Sequence, residues 1–330
     1  MARRVFWALL IAAPAASAQQ GLHEATLAVP AFSLSFALHY LADDLGLWAK
    51  HGLAMKSVLI AGVGSANAVI SGSADAGDAS PTTLTRAVAH GQKLLAIGAM
   101  QDRLFVAAVL RKDLAEAAGF DPKAPLEQRA RALKGRTMAV DSINSIIHAY
   151  VLLVAHRGGL DPDDIRIAPM QPNAMLAAFE AKQIDGFAMS FPWPLEPVLA
   201  GEAVTIASGL DGDPPDMLPF NQTMVVVRPE TCVERKWLCQ GVGRALADGA
   251  AFVHDHPAEA LALLAKRFPT LEPKLVAAAF DAVKRVTPVP PAPARAALAN
   301  AETLNIEAGL MKPEERLGSY DGLFTDEYVK

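Results

Sequence analysis

Short apolar runs alternate with amphipathic stretches along residues 25–110, and this alternation is the feature that most constrains how the chain can fold. Apolar runs of about four to eight residues, bounded by glycine, proline or polar clusters, are typical of strands. Strands that alternate with helices predict the α/β class, with a parallel sheet covered by helices on both faces. The predicted strands are Ala25–Val29, Lys56–Ile60, Ala74–Ala79, Leu94–Ala99 and Leu104–Leu110.

The segments between these strands predict helices. Leu34–His51 carries apolar residues near helical spacing and predicts one long helix that ends at Gly52. Ala66–Ile70 and Pro81–Ala89 predict two further helices. Gly119–Arg131, in contrast, holds two prolines and many charges, so we expect it to be a surface connection.

The same alternation begins again after residue 135, and a mainly helical stretch follows it. The second round predicts strands at Arg136–Val140, Ile165–Ala168, Gly186–Met189 and Val204–Ala207, with helices at Ile146–Arg157 and Ala174–Ala181. Met224–Val227 predicts one more strand, and the tail predicts helices at Trp237–His254, Ala258–Phe268, Leu275–Val286 and Ala294–Ala308.

Two α/β units followed by a helical tail predict a protein of two lobes. The tail is too helical to form a third sheet, so we expect it to pack back on the first unit. The first lobe would then comprise residues 22–110 and 222–330, and the inserted second lobe residues 111–221. The chain would cross between the lobes twice, and the two crossings would form a hinge.

The first 18 residues have the pattern of a secretory signal peptide. Arg3 and Arg4 give a positive start, Val5–Ala16 is apolar, and Ala16 and Ala18 are small residues where a signal peptidase cuts. The run is shorter than the roughly 20 apolar residues of a spanning helix. No cysteine stands at the cleavage point, so a lipid anchor is not expected. The pattern predicts export to the periplasm with cleavage after Ala18.

The chain without this segment is acidic, which argues against one class of partner. Loss of Arg3 and Arg4 leaves 28 Lys and Arg against 35 Asp and Glu, a net charge of −7. Nucleic-acid binding depends on basic groups that neutralise phosphates. An acidic chain without a basic block is therefore not expected to bind nucleic acid.

Two cysteines, Cys232 and Cys239, are seven residues apart. On one continuous helix their Cα atoms would lie about 10 Å apart, too far for a disulfide. If Cys232 lies in a loop before the helix, a bond becomes possible, and the periplasm permits it. Both alternatives stay open. Neither cysteine has a motif for catalysis or metal binding.

Several segments carry spacings that the alternation alone does not require. They are Phe36–Leu53, the G-x-x-D-x-G of Gly72–Gly77, Ile184–Ala188 followed by Trp193–Pro197, and His256–Ala260. In their order and spacing over about 230 residues, these segments resemble the periplasmic substrate-binding proteins of the nitrate, sulfonate and taurine ABC importers. That family includes the pyrimidine-precursor-binding, NMT1/THI5-like group.

The resemblance implies the type II periplasmic-binding-protein fold, in which a two-strand hinge joins two doubly wound lobes and a helical C-terminal tail packs on lobe 1. It implies an extracytoplasmic binding component that captures a small organic anion, such as a sulfonate, or a heteroaromatic compound by hinge closure. The expected partner is an ABC permease and ATPase complex in the inner membrane. We expect a monomer without a cofactor or metal.

Ligands of such sheets bind outside the carboxyl ends of the strands, where loops enter helices. Helix N-termini present unpaired N–H groups and a partial positive charge, which can hold a sulfonate, phosphate or carboxylate. Ser, Asn and Asp are also good helix N-caps, so both explanations stay open for each loop. The candidate ligand-binding residues in these loops are Phe32, Ser33, Ser35, Gly64, Ser65, Ser80, Pro81, Asp141, Ser142, Asn144 and Ser145.

Trp193 is the strongest candidate outside these loops. Its ring could stack on a planar ligand or form an apolar wall, and the alternative is a buried structural aromatic. Phe191 is a similar candidate. Glu196 could bind a cationic group of the ligand or could be a hinge or surface charge. Four weaker candidates are Gln101 and Arg103, which follow the fourth strand, and His39 and His148, which are expected to be structural.

Motifs that would indicate an enzyme are missing from the sequence. It has no G-x-S-x-G, no H-E-x-x-H and no Walker-type loop. His254 and His256 are two residues apart, a spacing that does not place them on one helical face for metal binding. Fungal pyrimidine-precursor synthases share the fold but carry a cysteine-rich motif that this chain lacks. We therefore expect a binding protein. The alternatives are an enzyme on the same scaffold and a sensory binding protein for a membrane receptor.

Overall fold

The computed structural model describes residues 21–330, and the predicted signal peptide lies outside them. The strands are β1 (His23–Val29), β2 (Leu53–Leu59), β3 (Ala76–Ala79), β4 (Leu95–Ala99), β5 (Val106–Arg111), β6 (Thr137–Val140), β7 (Arg166–Pro169), β8 (Gly186–Ser190), β9 (Ala203–Ser208) and β10 (Met224–Val227). The helices are α1 (Ala37–Asp44), α2 (Leu47–Lys50), α3 (Gly64–Ser71), α4 (Pro81–Ala89), α5 (Lys112–Ala117), α6 (Leu126–Ala130), α7 (Ile146–Arg157), α8 (Pro172–Glu180), α9 (Leu195–Leu199), α10 (Pro229–Glu234), α11 (Lys236–Asp255), α12 (Pro257–Arg267), α13 (Pro273–Val286) and α14 (Arg295–Glu307).

The first sheet has the strand order β2-β1-β3-β10-β4. As the alternation predicts, β1 runs parallel to both β2 and β3. However, β10 runs antiparallel between β3 and β4, so the sheet is mixed and the prediction of a parallel sheet is wrong for this strand. The direction of β10 follows from how the chain reaches it. β10 arrives from the other unit rather than through a crossover helix, and only such a crossover requires a parallel neighbour.

The second sheet has the order β7-β6-β8-β5-β9 and repeats this arrangement. β6 runs parallel to β7 and β8, whereas β5 runs antiparallel to β8 and β9. Because β5 lies in this sheet, the chain crosses before Val106, and the predicted boundary between residues 110 and 111 falls too late. We call the first sheet with its helices and the tail the first lobe, and the second sheet with its helices the second lobe.

The two crossings lie side by side and form the two-strand hinge. The Met100 N–H donates to the Thr223 carbonyl at 2.9 Å, and the Phe220 N–H donates to the Asp102 carbonyl at 3.0 Å. The side chain of Asn221 adds a further bond, from Nδ2 to the Gln101 carbonyl at 2.9 Å. These bonds hold the crossings together while each lobe keeps its own sheet.

The first predicted helix is interrupted. Instead of one helix over Leu34–His51, the chain forms a 3₁₀ turn at Leu34–Phe36, then α1, then α2. The break lies at Gly46, whose φ of +65° is the left-handed conformation that glycine tolerates and that ends a helix. The indole N–H of Trp48 spans the break and donates to Asp43 Oδ1 at 2.8 Å.

The segment Gly119–Arg131 is more than the predicted surface connection, because it contains α6. Leu126 and Ala130 of this helix are buried against the second lobe. Arg129 of the same helix donates to the Ile206 carbonyl and pairs with Asp213 at 2.9 Å. The helix was not predicted because Leu126 and Ala130, which are spaced four residues apart, stand among many charged residues.

The helical tail packs mainly on the first lobe, as predicted. α11 lies against α1 and α2, and α14 lies against α4. Glycines allow the close approach in α11: a Cβ at Gly241 would lie 2.9 Å from the His51 carbonyl oxygen. Within the described residues, no helix combines the length and apolar character that a membrane crossing needs.

Cys232 and Cys239 form a disulfide, with their Cα atoms 5.5 Å apart. The bond is possible because the two residues are not on one helix. Cys232 lies on α10 and Cys239 on α11, and Arg235 separates the helices with a non-helical φ of −127° and ψ of 57°. The turn brings the ends of the two helices together, which resolves the alternative that the spacing left open.

Candidate ligand-binding site

A small cavity lies between the lobes, at the carboxyl ends of strands from both sheets. The cavity has a volume of about 50 Å³, enough for a ligand of a few heavy atoms. Its lining comes from the first lobe (Pro30, Ala31, Ser33, Ser35, Phe36, Gly62, Ala66, Asp78, Ala79, Ser80, Thr83), from the second lobe (Asp141, Ile146, Ile147, Met189, Ser190) and from the crossing before β10 (Gln222, Thr223).

The N-terminus of α4 forms one wall of the cavity. Ser80 is its N-cap, and Pro81, which has no N–H to lose, is its first residue. The Ser80 hydroxyl accepts from the Thr83 N–H at 3.2 Å and shares a hydrogen bond with the Thr82 hydroxyl at 2.6 Å. Ser80 therefore both caps the helix and faces the cavity, so the two explanations given for this loop are compatible.

The N-terminus of α7 forms the opposite wall. Ser145 caps this helix by accepting from the His148 N–H at 3.1 Å. Ile146 and Ile147, its first two residues, line the cavity, and the N–H groups of such positions have no acceptor within a helix. Asn144 supplies the turn before the cap with a φ of +63°.

The Asp141 carboxyl is held at the start of this loop. Its Oδ1 accepts from the Ser142 N–H at 2.8 Å and from the Ser145 hydroxyl at 2.5 Å. Burial raises the pKa of Asp141 to about 6, although both hydrogen bonds favour the charged form and lower the pKa. The carboxyl thus titrates much closer to neutral pH than an exposed aspartate does.

Asp78 lies at the end of β3 and lines the cavity beside His39. The Asp78 side chain is 1% exposed, and its Oδ2 lies 3.3 Å from His39 Nδ1. Burial raises the pKa of Asp78, and the nearby His39 opposes that shift. This distance fits an ion pair, but its alignment does not fit a hydrogen bond, so neither carboxyl oxygen has a hydrogen-bond partner within residues 21–330.

The lobes touch each other around the cavity, so the structure shows a closed arrangement. The Leu34 N–H donates to the Phe191 carbonyl at 3.0 Å, and Arg86 Nη2 donates to the Asn144 carbonyl at 2.5 Å. Gly62 lies so close to Ser142 that an added Cβ would be 1.9 Å from the Ser142 hydroxyl oxygen.

Four of the predicted site residues line the cavity: Ser33, Ser35, Ser80 and Asp141. Six others belong to the same loops but do not line it, namely Gly64, Ser65, Pro81, Ser142, Asn144 and Ser145. They shape the site instead. Ser65, for example, is fully buried and donates to the Ala28 carbonyl at 2.9 Å.

The structure does not bring Phe32, Trp193 or Glu196 into the cavity lining. Trp193 is 2% exposed, and its indole N–H donates to the Phe32 carbonyl at 2.9 Å. The Phe32 ring stacks on Phe268 with ring centres 4.5 Å apart, and Trp193 contacts the same ring edge-on at 6.3 Å. Phe32, Trp193 and Phe268 thus form an aromatic cluster that joins the two lobes.

The remaining weaker candidates have structural contacts. Gln101 is buried and donates to the Ser35 carbonyl at 2.7 Å, whereas Arg103 pairs with Asp102 at the surface. His148 Nδ1 accepts from the Asn144 N–H at 3.1 Å. Phe191 packs on Phe105 with ring centres 5.1 Å apart.

Several lining residues were not among the predicted ones. Asp78 lies near the end of the predicted strand Ala74–Ala79, two residues before Ser80, and this position at the carboxyl end of a strand was the signal that could have found it. Ser190 ends β8, and the rule of strand carboxyl ends applies to it equally. Gln222 lies in the crossing: its Oε1 accepts from the Phe105 N–H at 3.1 Å, and its Nε2 reaches the Ser190 hydroxyl at 3.4 Å. Only the hinge geometry places it at the cavity.

Comparison with known families gives one match. The model of the family described as NMT1/THI5 like matches residues 33–260, which is more than half of the chain. The matched residues include the walls of the cavity in both lobes. None of the curated proteins compared with the chain matches it.

Solved structures share the fold over most of the chain. A Bordetella bronchiseptica protein has a TM-score of 0.79 at 16% identity and covers 93% of this chain and 95% of its own. The MOPS-bound alkanesulfonate-binding protein of Xanthomonas axonopodis pv. citri has a TM-score of 0.69 at 21% identity, with 90% and 96% covered. The periplasmic nitrate-binding protein of Synechocystis has a TM-score of 0.62 at 16% identity, with 77% and 69% covered.

Proposed function

The chain belongs to the NMT1/THI5-like family, and on that premise we propose that it is the extracytoplasmic solute-binding component of an ABC importer. It captures one small molecule between its lobes by hinge closure. The closed form then docks on a permease and ATPase complex in the inner membrane. The signal-peptide pattern of residues 1–18 supports a periplasmic location.

The observation that carries this proposal is the cavity between the lobes, which is lined by residues of both lobes. The N-termini of α4 and α7 face it from opposite sides, so a ligand there contacts both lobes only when they are closed. A ligand shifts the equilibrium between open and closed forms only if it binds the closed form better. Contacts available from both walls supply that difference.

The proteins of similar fold support the class of function. Two of them are named as binding proteins, one for alkanesulfonates and one for nitrate, which are small polar solutes. We propose a solute of similar size here, bound without chemical change. The four predicted residues that line the cavity are the proposed contacts: Ser33, Ser35, Ser80 and Asp141.

A thermal-shift screen of the purified chain without residues 1–18 tests the proposal. The panel would hold alkanesulfonates, taurine, nitrate, aromatic carboxylates and pyrimidine precursors. A ligand that binds only the folded state raises the free energy of unfolding by about 2.7 kcal/mol at a hundredfold excess over Kd. We expect at least one compound to raise Tm, and to be recovered unchanged.

Two substitutions make the screen specific for the cavity. Ser80→Ala should weaken the binding of the hit, because Ser80 faces the cavity. Ser57→Ala, on the exposed face of β2, is the matched control and should bind like the parent chain. Equal binding by both variants, or conversion of the hit into a product, would contradict the proposal.

A further inference from the structure

The charges that line the cavity are unusual for an anion site. The ionisable side chains among the lining residues are the carboxyls of Asp78 and Asp141, one from each lobe, and no lysine or arginine is among those residues. Arg86 lies nearby, but its guanidinium is already engaged by the Asn305 side chain at 3.0 Å and by the Asn144 carbonyl.

Buried acceptors in the same cavity lack a donor. Oδ1 of Asp78 and the hydroxyl oxygen of Ser35 have no hydrogen-bond partner in the described part of the chain, and Oδ2 of Asp78 has an ion-pair contact with His39 Nδ1 at 3.3 Å but no aligned hydrogen bond. The two side chains are 1% and 2% exposed, and both residues line the cavity. Buried polar groups are normally paired, because an unpaired one carries a desolvation penalty. The unpaired acceptors therefore point to a donor that the ligand supplies.

The helix N-termini are less free for an anion than their positions suggest. The Thr83 N–H of α4 is taken by Ser80, and the His148 N–H of α7 is taken by Ser145. The carboxyl of Asp141 itself accepts from the Ser142 N–H in front of α7. Even with His39 beside Asp78, a bare anion would have to lie between two carboxyls, whereas a cation would be attracted by both.

We propose that the ligand carries a protonated amine or amidine group, which donates to Asp78 and is attracted by Asp141. The inference rests on the proposed function and narrows its substrate class. A cationic nitrogen has several N–H donors and so can satisfy Asp78 together with the Ser35 hydroxyl. The N–H groups of Ile146 and Ile147, the first two residues of α7, have no acceptor within the helix and would bind an anionic group at the other end of the ligand.

Matched pairs of compounds test this on the unmodified binding site. Each pair shares a skeleton and differs in the cationic nitrogen: taurine and ethanesulfonate, β-alanine and propionate, and acetamidine and acetamide. Kd would be measured by titration calorimetry and Tm by thermal shift, at constant pH and ionic strength. We expect the cationic member of a bound pair to bind at least about tenfold more tightly, since a hydrogen bond to a charged group is worth that much or more.

Asp78→Asn tests the group that is proposed to bind the nitrogen. The variant should lose at least about tenfold in affinity for the cationic compound. Asp163→Asn, which removes an exposed carboxyl far from the cavity lining, should leave Kd unchanged. The amide of Asn keeps a donor, so a protonated Asp78 that donates to an anion would instead predict that the variant retains binding of ethanesulfonate or propionate.

The outcomes separate this inference from the proposed function. Equal or tighter binding of the members that lack the cationic nitrogen overturns the inference and leaves the binding function standing. Unchanged affinity of Asp78→Asn for the cationic member overturns it as well. No binding by any member of these pairs or of the wider screen counts against the binding function, and against the inference with it.

Discussion

The carboxyl of Asp141 lies where the second lobe meets the cavity, and its surroundings act on its pKa in opposite directions. Burial raises the pKa to about 6, against hydrogen bonds from Ser145 and Ser142 that lower it. An unfolded aspartate titrates near 3.9. Between about pH 4 and 6 the folded chain therefore binds more protons at this residue than the unfolded chain does, and its contribution to stability falls as pH rises through that window.

Asp141→Asn should remove this pH dependence while Asn Oδ1 still accepts the same hydrogen bonds. We expect the free energy of unfolding of the parent chain, relative to the variant, to fall by up to about 3 kcal/mol between pH 4 and pH 7. Subtracting the free energy of unfolding of the variant from that of the parent chain cancels the contributions of other titrating groups. One such group is His148, whose pKa is lowered by burial. Urea unfolding of both ligand-free proteins across this range measures the difference. Parallel stability curves would show that the pKa of Asp141 is not raised.

Elements pack closely in the first lobe where glycine replaces a side chain, and α11 offers a matched pair of such positions. A Cβ at Gly241 would lie 2.8 Å from the Leu53 side chain and 2.9 Å from the His51 carbonyl oxygen. A Cβ at Gly249 would lie 3.5 Å from the Leu38 carbonyl oxygen, an ordinary contact. Both residues are buried in the middle of the same helix, so their helix propensities are comparable.

The two substitutions to alanine should therefore have opposite signs. Gly249→Ala should raise the free energy of unfolding by about 0.5–1 kcal/mol, because alanine restricts the unfolded chain and favours the helix. Gly241→Ala should lower it by about 1–3 kcal/mol, because the backbone of His51 cannot move aside without shifting β2. Chemical denaturation of the two variants provides the measurement. Equal effects would mean that α11 and β2 are not packed as described.

Some elements could be predicted from the sequence to the residue, because their ends have chemical signals. α4 begins at a proline after a serine cap, and α7 begins after the cap Ser145; both were predicted with the observed bounds. The break at Gly46 was missed, because a glycine inside a helical pattern does not reveal its φ. The directions of β5 and β10 were missed because they depend on which sheet receives the chain after each crossing, a non-local property.

The residues of the candidate site also divide into those that local sequence could predict and those that depend on long-range packing. Ser80 and Asp141 directly follow β3 and β6, and Ser33 and Ser35 lie in the segment after β1, so the rule that ligands bind at strand carboxyl ends selects four residues that line the cavity. Trp193 was expected to contact the ligand, but its environment is set by Phe268, which lies 75 positions along the chain in the tail. Such long-range packing leaves no local pattern. The pairing of His39 with Asp78 is equally non-local and was not predicted.

At the scale of the whole molecule, contacts that lie outside the cavity also join the two lobes. Trp193 of the second lobe donates to the Phe32 carbonyl of the first, and Arg157 at the end of α7 pairs with Glu307 at the end of α14. Under the proposed hinge closure, contacts that join the lobes stabilise the closed form, so they would shift the equilibrium between the open and closed forms. The apparent Kd depends on the fraction of the chain that is able to close.

Trp193→Phe keeps an aromatic ring in the cluster but removes the donor that joins the lobes. The loss of one hydrogen bond, about 0.5–1.5 kcal/mol, should weaken binding by roughly two- to tenfold. Because Trp193 does not line the cavity, the loss should be the same for every ligand, planar or aliphatic. Titration calorimetry with two bound compounds of different shape measures this, and small-angle scattering should show a larger ligand-free radius of gyration.

The matched control is Trp237→Phe, whose ring stacks on His23 away from the cleft and should leave Kd unchanged. A loss in Trp193→Phe that is confined to planar ligands would contradict the closure role and would instead indicate direct stacking on the ligand. A uniform loss with an unchanged radius of gyration would mean that the indole donor acts within the closed form alone. The comparison thus separates a residue that binds the ligand from one that holds the lobes together.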